Sequence, residues 1–162
     1  MNSPPQMDKL VLQGWRDGRC PIVDGVVFAD GRIALLRVTT SPVPGAQYPE
    51  RIFAYRAQKD RVTSIGDLER QGALEWTHIY RQVGSADESR NLRAWYGETS
   101  WGSEGFVALA TVSTDQPIWI AIFDGSNPFK SATLTATTVE AVSTHENVWS
   151  FPIDAPEDVS VD

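Results

Sequence analysis

Ile118-Trp-Ile-Ala-Ile-Phe123 is the stretch that decides the fold. It carries no charge and is apolar at successive positions, so both faces of an extended chain here shed water. Such a strand needs cover on both sides and belongs in the middle of a sheet, between layers. Asp124-Gly-Ser-Asn-Pro-Phe129 follows it as a turn, since Gly125 can take positive φ and Pro128 blocks continuation. Outward from this centre the signals are those of more strands. Residues 92–96, 106–112, 132–142 (rich in Thr) and 148–153 read as strands, and residues 154–162 as a charged, loosely held tail.

The first half repeats the pattern. Residues 22–29 and 32–39 are β-branched and apolar around Asp30-Gly31, a two-residue hairpin cue. Three prolines and a glycine within residues 40–49 argue against a ladder strand or a helix there. Residues 51–57 resume as a strand with Phe53 and Tyr55 on one face and Ile52 and Ala54 on the other. Residues 64–72 read as a short helix that Ser64 caps, Asp67 supports at the capping-box position and Gly72 ends. Leu74, Trp76, His78 and Tyr80 alternate with Glu75, Thr77, Ile79 and Arg81, predicting a half-buried strand with the aromatic face inward. Residues 84–91 are polar and read as a loop. At the start, residues 1–9 read as a loose lead-in and residues 10–14 as a helical turn anchored by Trp15.

About eight strands and one or two short helices, joined by hairpin-length connections, predict antiparallel neighbours. The expectation is one domain over residues 1–162, α+β or mainly β, built on a twisted antiparallel sheet. The 162 residues, 41% hydrophobic and 10% aromatic, suffice for one buried core. No apolar run reaches the ~20 residues that span a bilayer, and the start lacks an apolar signal region. With a single cysteine, Cys20, this points to a cytoplasmic protein without internal disulfides.

Net charge is −7, which disfavours nucleic acid, since phosphate neutralisation needs clustered Lys and Arg. Residues 1–93 hold 13 of the 14 basic and 11 of the 21 acidic residues, a balance of +2; the rest holds one base against ten acids, or −9. If those carboxylates gather on one exposed side, they make a field that draws in a basic partner. The alternative is that arginines of the first half fold back and quench them.

Candidate chemistry is sparse. His78, His145 and Cys20 lack zinc spacing, and no acidic run has the density of a calcium loop, so neither metal nor cofactor is expected. Gly102-Ser-Glu-Gly105 is not a nucleophile elbow. The Gly-rich stretch from Gly97 to Gly105 has no lysine for a phosphate. Cys20 reads as a small residue packed at a strand edge, and His145 as a solvated turn residue. The most unusual local composition sets Trp95, Tyr96 and Trp101 among Glu98, Ser100, Ser103 and Glu104. Aromatic anchors beside carboxylates suit a partner rich in Lys or Arg. The competing reading makes Trp95 and Trp101 core residues at a hairpin end.

Trp101-Gly-Ser-Glu-Gly-Phe-Val-Ala-Leu109, Ile118 to Phe123, Ser126-Asn-Pro-Phe129 and Asn147-Val-Trp-Ser-Phe-Pro-Ile153 together resemble bacterial immunity proteins, small cytoplasmic inhibitors of a toxin from the same locus. The resemblance covers about a third of the chain and implies an acidic, non-enzymatic binder that covers a toxin's active site. On this reading Glu98, Glu104, Asp87 and Glu88 pair with partner Lys or Arg, while Trp101, Tyr96 and Trp95 supply apolar contact. The alternatives are a small sheet-based enzyme or ligand-binding domain with His78 in an aromatic pocket, and a subunit that buries an edge strand or aromatic patch in a homodimer.

Overall fold

The computed structural model describes residues 6–162, and the fold is mainly β. The first five residues of the expected lead-in lie outside the described residues. The remainder of it is tied down: Asp8 N donates to Ala29 O at 2.7 Å, and the Asp8 carboxylate caps helix α1, Lys9–Arg16, at Leu10 N and Val11 N. Val11 and Trp15 put the apolar side of α1 against the sheet.

Ten further elements build the large sheet and its second helix: β1 (Arg19–Pro21), β2 (Gly25–Phe28), β3 (Arg32–Pro42), β4 (Phe53–Ser64), α2 (Ile65–Arg70), β5 (Trp76–Asp87), a 3-10 turn (Glu88–Arg90), β6 (Leu92–Thr99), β7 (Gly105–Thr111) and β8 (Pro117–Phe123), with α1 against it. Their order is β1-β5-β6-β7-β8-β2-β3-β4, antiparallel throughout. A second antiparallel sheet, β12-β11-β10-β9, comprises β9 (Phe129–Leu134), β10 (Thr138–Ser143), β11 (Val148–Pro152) and β12 (Ser160–Val161).

As its sequence requires, β8 is central and buried on both faces. Trp119, Ala121 and Phe123 look into the core between the sheets, where they meet Trp149 and Phe151 of β11. Ile120 and Ile122 look the other way, into a core closed by Val11 and Trp15 of α1, Ile65 of α2 and Cys20. Cys20 is buried on the edge strand β1, and burial pushes its thiol pKa far up, with the Glu104 charge adding to the effect.

Several local expectations are corrected. The β2–β3 connection has three residues, Ala29-Asp30-Gly31, with Gly31 at φ +91° and its N–H bonded to Phe28 O. Strand β3 runs through Thr40 and Ser41 to Pro42, which ends the ladder opposite Phe53. Residues 84–87 belong to β5, because a bulge between Val83 and Ala86 lets the strand absorb Gly84 and Ser85. The Thr-rich run splits into β9 and β10: Thr135 Oγ1 accepts from Thr138 N at 2.9 Å and closes a turn. The final residues are ordered too, with Pro156 and Val159 buried and β12 paired to β11.

Candidate functional site

The end of the large sheet where β6 passes into β7 and β8 into β9 holds the most exposed tryptophan of the chain. Trp101 is 63% exposed on the β6–β7 loop. The loop is shaped by its own polar groups: Trp101 N donates to Thr99 Oγ1 at 3.1 Å, and Glu104 N to Trp101 O at 3.1 Å. It is also stitched to the β8–β9 loop, since Asn127 N donates to Ser103 O at 2.8 Å. Gly105 makes that approach feasible, because a Cβ there would collide with Asn127 O and with Ser126 Oγ.

Four carboxylates stand at this end. Asp24 precedes β2 and accepts from Asp124 N at 2.7 Å; both acids are exposed. Glu104 is only 3% exposed. Burial raises its pKa, the charges of Asp124 and Asp24 raise it further, and a bond to the Thr99 hydroxyl opposes them. Asp24 is raised by burial and by Asp124, with the Asp124 N–H pulling the other way. Glu98, near the end of β6, is exposed. Among the described residues no Lys or Arg lies within ion-pair distance of Asp24, Glu98, Glu104 or Asp124. Nor is any group of His, Cys, Asp or Glu among them arranged to hold a metal ion.

A polar cluster continues the face. Asn127, at φ +65°, donates from Nδ2 to Tyr55 Oη at 3.2 Å and sits 3.2 Å from His145 Nδ1. His145 stacks on Phe53 with ring centroids 5.3 Å apart. It is thus half-buried and packed, not the solvated turn residue expected from its polar neighbours. Burial raises the Tyr55 pKa, and Asn127 partly offsets it.

The seven residues singled out in the sequence do not form one surface. Trp101 and Glu98 share this end, and Glu104 lies behind them, too enclosed to meet a partner directly. Trp95 and Tyr96 are strand neighbours and so face opposite ways. Trp95 packs edge-on against Trp15 at 6.1 Å, beneath the Arg81 guanidinium, while Tyr96 packs on the core between the sheets. Asp87 and Glu88 lie at the far end of the β5–β6 pair, about 20 Å along the strand from Glu98. Asp87 is also occupied: it accepts from Ser89 Oγ and from Arg90 Nε, which hold its pKa at about 2. Glu88 is exposed.

The ten acids after Arg93 do not gather on one side either. Asp115 is clasped by Arg81 at 3.2 Å, Asp158 by Lys59 at 2.9 Å and Glu146 by Lys130, while Glu104 is buried. His78 is exposed, and the aromatic enclosure expected around it does not form. The alternation of β5 holds, but Thr77 and Ile79 form its buried side, with Arg81 covered by Trp15 and Trp95. Asp24, Asp124 and Asn127 were missed because each sits in a turn, where sequence spacing carries no information about which loops meet.

Set against protein-family models, curated proteins and solved structures, the chain finds no match in any of the three comparisons. No helix among the described residues is long and apolar enough to cross a membrane.

Proposed function

We propose that the chain is a non-enzymatic binding protein whose Trp101 end docks a cationic partner protein, as an immunity protein covers a basic toxin. The exposed Trp101 carries this reading. A large indole held out on a loop braced by Thr99 and Asn127 costs little order on binding, and it is the side chain most often found at the centre of an interface. Asp24, Asp124 and Glu98 around it are exposed and free of ion pairs among the described residues, so their charge is available to steer a Lys- or Arg-rich surface. Glu104 reinforces the local negative potential from beneath. The His78 alternative has no observation in its favour.

The test screens the products of neighbouring reading frames for one that binds the chain and uses that protein as the partner. Trp101→Ala should weaken binding by about 2 kcal/mol or more through faster dissociation. Reversing Glu98 and Asp124 to Lys should slow association by about tenfold and flatten its salt dependence. Unchanged rates in both variants would end this assignment.

A further inference from the structure

Asp-Gly is a dipeptide in which the aspartate side chain can close on the main chain, because glycine brings no side chain to shield its nitrogen. It occurs four times here: Asp17-Gly18, Asp24-Gly25, Asp30-Gly31 and Asp124-Gly125. Closure needs the carboxyl group and the following N–H unengaged at the same moment. At three of the four pairs the fold engages both. Gly18 N donates to Trp15 O at 3.1 Å, while Asp17 Oδ1 accepts from Gln13 Nε2 at 3.0 Å. Gly31 N donates to Phe28 O at 3.0 Å, and the Asp30 carboxylate accepts from Arg32 N and Nε. Gly25 is set in the ladder between Leu35 and Ile122, and Asp24 Oδ1 accepts from Asp124 N at 2.7 Å.

The fourth pair differs. Among the described residues neither the Asp124 carboxylate nor the Gly125 N–H has a hydrogen-bond or ion-pair partner, and both residues are exposed. A Cβ at Gly125 would meet no atom within 4 Å, so the peptide has room to turn. We propose that Asp124-Gly125 is a self-modification site, at which closure of a succinimide ring converts Asp124 to isoaspartate.

The chemistry balances within the chain and water. The Gly125 nitrogen attacks the side-chain carboxyl carbon of Asp124; an N–C bond forms, and the carboxyl OH leaves with the amide proton as water. Water then opens the ring. Addition at the side-chain carbonyl restores aspartate, and addition at the main-chain carbonyl leaves the chain running through the side chain. Isoaspartate keeps one carboxylate, so the charge is unchanged, but the main chain of the β8–β9 turn gains a methylene. Asn127 fixes that turn to the β6–β7 loop through its N–H on Ser103 O at 2.8 Å. The longer turn slackens this brace behind Trp101.

The experiment incubates the folded full chain in water enriched in heavy oxygen and maps the label and isoaspartate by peptide mass spectrometry. Each cycle of closure and opening exchanges one oxygen, so Asp124 should gain label faster than Asp17, Asp24 and Asp30 by about tenfold or more, since those three must first release hydrogen bonds. In concentrated urea the four sites should label alike. Gly125→Ala, which the open space tolerates, should slow labelling at Asp124 in the folded chain several-fold. In the isoaspartate form the Asn127 amide should exchange with solvent faster than in the unmodified chain. Equal labelling of the four sites in the folded chain, or none at Asp124, overturns the proposal. The reaction involves no partner, so its failure leaves the docking of a cationic protein at Trp101 untouched.

Discussion

Glu104 has its carboxylate closed off from water at a corner where Asp24 and Asp124 add more negative charge. Burial and like-charge repulsion both favour its protonated form, so the folded chain holds that proton more tightly than the unfolded chain. The resulting stability is present below the ordinary value of 4.5 and is lost as pH rises through the folded pKa. Asp24 acts in the same sense. Asp87 acts in the opposite one: its bonds to Ser89 and Arg90 favour the charged form, so its contribution is present above 3.8 and lost as pH falls toward about 2. Glu104→Gln should therefore raise stability at neutral pH and flatten its decline above pH 4.5. Urea unfolding across a pH series checks this. A less stable variant at neutral pH would mean that the bond to Thr99 outweighs burial and repulsion.

At the scale of elements, one bulge ties the large sheet to the small one through a side-chain bond. Ser85 sits in the irregular part of β5, and its Oγ accepts from Leu134 N of β9 at 2.6 Å. Ser85→Ala removes that acceptor from a partly buried N–H and should cost about 1–3 kcal/mol in denaturant unfolding. An unchanged midpoint would show that water replaces the hydroxyl. The sequence announces some elements fully. The apolar run of β8 demands its central place, and Ser64, whose Oγ accepts from Asp67 N at 3.1 Å, caps α2 where its position in the chain predicts. It is silent where long-range pairing rescues a polar segment. Gly84 and Ser85 look like loop, and only the β6 ladder and the contact with β9 make them strand. The same limit applies to the site: Trp101 and Glu98 were legible from local composition, but spacing could not reveal that Asp24, a hundred residues before Asp124, would accept its N–H. Strand alternation places Trp95 and Tyr96 on opposite faces from the sequence alone.

Across the whole molecule, the acidic closing segment is a structural clamp. Its composition resembles a solvated tail, yet Val148 and Asp162 exchange backbone bonds at 3.0 and 2.9 Å, and β12 aligns with Trp149 and Ser150. Val159, 6% exposed, joins the core between the sheets, and Pro156 is buried. Asp158 reaches Lys59 on β4, so the segment connects the small sheet to the last strand of the large one. The exposed ion pair contributes little by itself. Apolar burial contributes more, at roughly 1.5–3 kcal/mol for a side chain such as valine. With the lost ladder bonds, deletion of residues 156–162 should remove several kcal/mol of the about 5–15 kcal/mol typical of a domain. The deletion should lower the thermal midpoint by about 10 °C or more, or leave the chain unfolded at ambient temperature, as followed by circular dichroism. Val159→Ala in the intact chain isolates the apolar part and should lower the midpoint by a smaller amount. A deletion that melts with the full chain would show that the two sheets hold together without this segment.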